Sequence, residues 1–134
     1  MNEEILKKYF EGTATVKDLD KDLIGTVKIE RNVSRHMITN FSHDSDFNVK
    51  SIHLIKLCDD VLNENLKLSD LGIIAFALVA SDYFSWDSET IDGERVSEVI
   101  FQWDSPEINY PLTKENVKLW LHYLKTGEFN LKLI

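Results

Sequence analysis

From Val49 to Tyr83 the apolar residues recur at helical intervals. Ile52, Leu54, Ile55, Cys58, Val61 and Leu62 follow the 3.6-residue period of one core-facing helix, which should end near residues 63–65. The next run, Asp70 to about Tyr83 with Ser69 as its N-cap, is apolar nearly all round. A helix without a polar face has to be enclosed by others, so this one is expected at the centre of a helical domain. Gly72, Ala75, Ala77 and Ala80 would let its neighbours approach closely. Its uninterrupted apolar stretch, Leu71 to Ala80, is ten residues, too short to span a bilayer.

Elements on both sides fit the same class. Ile5, Leu6, Tyr9 and Phe10 form one stripe closed by Gly12. Thr15 with Asp18 resembles a weak capping box ahead of Val16, Leu19, Leu23 and Ile24, with Gly25 as the stop. Residues 26–38 alternate and are β-branched, which predicts a short strand or extended passage, and 40–48 reads as an exposed loop. Asp87 to Gly93 reads as a polar loop. Glu94 to Trp103 fits either helix or strand; Arg95, Glu98 and Gln102 sharing one helical face favours helix, with Phe101 and Trp103 in the core. Pro106 and Pro111 bracket a non-helical passage, Thr113 caps a last helix ending at Gly127, and the tail alternates. No linker or repeat divides the chain. The expectation is a single domain, 1–134, mainly α, with five or six helices and one or two short extended segments.

Chemical motifs are wanting. Asp18, Asp20 and Asp22 imitate the start of a calcium loop, but Leu23 stands where the turn glycine belongs and Ile29 where the bidentate glutamate belongs. A solvated helical face is the better reading. The four histidines lack metal-ligand spacing, and His43 with Asp44 and Asp46 is a weak loop site at best. Five scattered glycines make no phosphate loop, and no nucleophile has plausible triad neighbours. Cys58 is the single cysteine, which rules out an internal disulfide, and its apolar setting predicts a buried, inert thiol. Neither enzyme activity, nor a metal, nor a cofactor is expected. The N-terminus lacks the basic and apolar regions of a signal peptide, so a cytoplasmic location is expected.

Charge is what sets the chain apart. Between Asp82 and Glu107 lie eight acids, one base (Arg95) and five large aromatics in twenty-six positions. That segment carries −7 of the formal net charge of −8, leaving about −1 for the other 108 residues. Net negative charge argues against nucleic-acid binding and against docking on an anionic membrane. Crowded like charges repel one another, so concentrating them costs stability that an even distribution would avoid. Trp86 and Ile91 lie within or beside this polar stretch, where apolar side chains are less expected. Acids mixed with aromatics suit recognition of a basic protein partner, and the candidate contact residues are Asp82, Trp86, Asp87, Glu89, Asp92, Glu94 and Glu98.

A small, acidic, cysteine-poor chain with the segments Ser81–Asp87, Gly93–Trp103 and Ser105–Thr113 resembles the immunity proteins of bacterial toxin–immunity systems, contact-dependent growth inhibition among them. The likeness is general and transfers no residue roles. It implies neutralisation of a cognate basic toxin, of nuclease type, by binding, with the carboxylates standing in for the phosphates the toxin grips. The alternative is a non-enzymatic adaptor or regulator that binds another bacterial protein through the same surface.

Overall fold

The computed structural model describes residues 3–23, 47–81, 83–105 and 110–128. Among them are α1 (Glu3–Glu11), α2 (helical over 16–23), β1 (Phe47–Asn48), α3 (Ser51–Leu62), α4 (Leu68–Ala80), β2 (Phe84–Ser85), α5 (Ile91–Asp104) and α6 (Lys114–Thr126). The fold is mainly α, and Glu94–Trp103 is helix. The extended passage expected at 26–38, most of the 40–48 loop, the His43 site, Asp82 and the tail from residue 129 lie outside the described residues.

Several helix ends are written locally. Thr15 Oγ1 accepts from the Asp18 N–H at 3.2 Å and Asp18 accepts from the Thr15 N–H at 3.0 Å, completing the capping box. That role, with Leu19 and Leu23 buried, accounts for the run that imitates a calcium loop. Thr113 Oγ1 accepts from Asn116 N–H at 3.2 Å, and Gly127 closes α6 in the left-handed region at φ 82°. The start of α4 departs from expectation. Lys67, not Ser69, is the N-cap, because the Asp70 carboxylate turns back to accept the Lys67 N–H at 2.9 Å. Burial raises the Asp70 carboxyl above the ordinary range, against that hydrogen bond and with help from nearby Asp20.

The core draws on every helix: α3 packs chiefly on α6, and α4 on α5. Leu54, Leu57, Cys58 and Val61 of α3 are buried with Leu71, Ile74, Ala75, Ala77 and Leu78 of α4. The Cys58 thiol is buried, as expected, and burial raises it well above its usual value, which disfavours the reactive thiolate. Trp103 and Trp120 meet edge-to-face at 6.1 Å between α5 and α6, both fully buried. Trp120 Nε1 donates to Gln102 Oε1 at 2.6 Å, whereas the Trp103 indole N–H meets no acceptor among the described residues. Two sequence expectations are corrected. Ile52 is 63% exposed and Phe101 57% exposed, so neither belongs to the core.

Among the described residues the sheet is a two-residue parallel pairing, Phe47 with Phe84 and Asn48 with Ser85; the sequence predicts a loop at Phe47 and Asn48 and no element at Phe84 and Ser85. Phe47 N–H donates to Tyr83 O and Val49 N–H to Ser85 O, each at 2.8 Å. Around it Phe10, Phe47, His53, Tyr83 and Phe84 form one aromatic cluster joining α1, α3 and both strands. This pairing matters because each strand leads within a few residues into a helix. The N-termini of α3 and α5 are thereby brought side by side.

Candidate protein-binding surface

Where those helix ends meet, Asp92 reaches across. Its carboxylate accepts from the Ser51 N–H at 3.1 Å and from the Ser51 hydroxyl, capping α3 from the first turn of α5. The Asp92 side chain is therefore spent inside the fold. A cleft of about 480 Å3 opens beside it, lined on one side by Asn48 to Lys50 and on the other by Asp87, Thr90 and Gly93.

The loop before α5 is held by its own polar groups. Glu89 N–H donates to Asp87 Oδ1 at 3.0 Å, Thr90 Oγ1 donates to Asp87 O at 2.8 Å, and Thr90 Oγ1 accepts from Gly93 N–H at 2.9 Å. The helix begins at Ile91, so only Asp87 to Thr90 of the expected loop is loop. Asp87, Glu89, Glu94 and Glu98 are exposed. Among the described residues none of these four carboxylates makes an ion pair. Glu98 accepts from Gln102 Nε2 at 2.9 Å, which links the outer face of α5 to buried Trp120 through one glutamine.

Arg95, the one base of the acidic segment, makes no ion pair with its acids among the described residues. Its Nη1 donates to Leu124 O at 3.4 Å at the C-terminal end of α6, close under Gly127. A cation there satisfies an end carbonyl and opposes the negative end of the helix dipole. The carboxylates of Glu98 and Glu94, after burial, help to raise the Tyr123 hydroxyl above its usual value, which places their field over the α5–α6 seam.

Of the seven residues singled out from sequence, four stand together on the surface: Asp87, Glu89, Glu94 and Glu98. Asp92 serves as a cap, Trp86 is half-buried and packs on the core, and Asp82 lies outside the described residues. Sequence reasoning missed Phe101 as a surface residue. Its position three beyond Glu98 and seven beyond Glu94 was the available signal, since those spacings put all three on one helical face.

His53, at the start of α3, is expected to make stability depend on pH. Its ring stacks on Phe10 at 5.0 Å, and Nδ1 accepts the Lys50 N–H at 2.9 Å, so the neutral imidazole completes the start of α3. Burial first, then Lys50 and Lys56, lower its pKa, while Asp92 opposes them. The folded state thus binds a proton less readily than the unfolded chain, whose histidine titrates near about 6.5. Stability should be full above that pH and fall as pH drops from it through the lower folded value. Urea unfolding between pH 5 and 8 should show this slope, and His53→Gln should flatten it. An unchanged slope in that variant would assign the dependence elsewhere.

No family model, curated protein or solved structure matches this chain. Among the described residues no group of three or more His, Cys, Asp or Glu side chains is placed to hold a metal, and no helix is long and apolar enough to cross a membrane.

Proposed function

We propose that this chain is an immunity protein that binds a cognate basic toxin domain, of nuclease type, and neutralises it without catalysis. The observation that carries the reading is the set of exposed carboxylates Asp87, Glu89, Glu94 and Glu98, free of ion pairs among the described residues. They belong to the segment that holds nearly all the protein's net charge. A nuclease grips phosphates with clustered Lys and Arg, and carboxylates on a rigid helix and a hydrogen-bonded loop offer those cations an alternative partner. Opposite fields speed encounter more than they deepen affinity, and salt screens them.

Co-purification with the product of the gene immediately upstream, followed by a nuclease assay with and without this protein, tests the reading. An upstream product that is neither toxic nor bound would overturn it. An operon of regulatory or metabolic genes whose product is bound would favour the adaptor instead. Reversing Glu89 and Glu94 to lysine, with the loop-holding Asp87 kept, should slow association about tenfold or more at low salt, with the gap to the native protein narrowing at high salt. Asp92 is left intact because its loss would uncap α3 and confuse binding with folding. Stopped-flow association rates unchanged by the double substitution would remove this surface from the interface.

A further inference from the structure

Ile91, Glu94, Glu98 and Phe101 follow one another along α5 at intervals of three, four and three residues, and all four are exposed. At 100° per residue they fall within an arc of about 80°, facing away from buried Val96, Val99, Ile100 and Trp103. Ile91 is 75% exposed and Phe101 57% exposed. Ten residues separate them, about 15 Å along the axis, with the two carboxylates between. The two apolar side chains share one helical face with the two carboxylates between them, a mixture that is complementary to a helix carrying apolar and basic side chains on one face.

Resting on the protein-binding reading above, we infer that this stripe receives a basic amphipathic helix of the partner. That helix presents Lys or Arg at two central positions and an apolar residue at each end of a three-turn face. A second copy of this chain is a poor occupant. Twofold pairing of α5 with itself would oppose Glu94 and Glu98 to their own copies, and like charges across an interface are strongly unfavourable. Head-to-tail pairing with α6 fares no better. That helix exposes Lys114, Lys118, His122 and Lys125, but Lys114 is held by Glu64 at 2.7 Å and His122 by Glu128 at 2.9 Å. None of the large apolar side chains exposed among the described residues lies on α6 to meet Ile91 and Phe101.

The probe is a synthetic amphipathic helix with Leu at both ends of such a face and Arg at its two central positions. It is titrated into the full chain by fluorescence anisotropy and by amide chemical shifts. Binding should map to α5 and should vanish for the same peptide with Glu in place of Arg. Ile91→Ser and Phe101→Ser should each weaken it about tenfold, the effect of losing one buried apolar anchor. The unfolding midpoint should hold, since both side chains are exposed. Absence of binding, indifference to both serine variants, shifts confined to α6, or concentration-dependent self-association would each overturn the inference. A toxin bound equally by the native chain and both serine variants, yet lost in the lysine variant, would sink this stripe and leave the immunity reading standing. Peptide binding with the expected sensitivity, beside an upstream product that is neither toxic nor bound, would do the reverse.

Discussion

Replacing Gly93 by alanine is expected to destabilise the protein by about 3 kcal/mol or more, a shift of roughly 10 °C for a chain of this size. A Cβ built on Gly93 falls far inside van der Waals contact distance of the Asp87 carbonyl oxygen and 2.8 Å from Thr90 Oγ1. The first obstacle is backbone, so no rotamer change can relieve it. Either the 87–90 loop lifts away, breaking the hydrogen bonds that hold it, or the first turn of α5 unwinds. Both routes displace Asp87 and Glu89, so partner binding should weaken along with stability. Gly72→Ala is the control. A Cβ there meets Trp103 O at 3.5 Å and Leu112 Cδ1 at 3.7 Å, ordinary contacts, in the interior of α4. That change should stabilise by about 0.5–1 kcal/mol through helix propensity. Urea unfolding of the two variants decides the matter; a Gly93→Ala protein within about 1 kcal/mol of native would contradict the close packing of loop on helix.

Ser81→Ala is the second large effect, expected near 3 kcal/mol. The Ser81 hydroxyl donates to Glu3 Oε2 and accepts from the Tyr83 N–H at 2.9 Å and the Phe84 N–H at 3.1 Å, using all of its hydrogen-bonding capacity. Glu3 is only 2% exposed. Alanine takes a donor from a buried carboxylate and an acceptor from two amides at the turn that launches β2. Because β2 aligns α3 with α5, the damage should reach the Asp92 cap. Ser81→Thr keeps the hydroxyl and should recover much of the loss. Combining Ser81→Ala with Glu3→Gln should cost less than the sum of the two, since a neutral amide is cheaper to bury. Strict additivity in thermal or urea melts would show that the two side chains do not support one another.

The acidic surface was half legible in the linear chain. Helix class, the Thr15 and Thr113 caps and the Gly127 stop depend on residues within four positions of one another, so local patterning reveals them. The Phe47–Phe84 pairing and the Ser51–Asp92 bonds join residues 37 and 41 positions apart, and two-residue strands leave no period to read. Phe101 was assigned inward beside Ile100, and Ile52 as the first member of the apolar period that runs to Leu62, although it adjoins the buried Ser51. On a helix a neighbour in sequence points 100° away, and that rotation puts each outside its buried arc.

Composition and spacing alone determined that the chain is helical, that its thiol is buried and that its charge gathers before and along α5. Tertiary structure decided how the acids of that segment are used. Packing of α3 against α5 draws Asp92 into a cap, docking of α6 diverts Arg95 to a helix end, and Asp87, Glu89, Glu94 and Glu98 are left to solvent. Charge is a property of the residue, but its availability depends on which helix end or donor the fold brings within hydrogen-bonding distance.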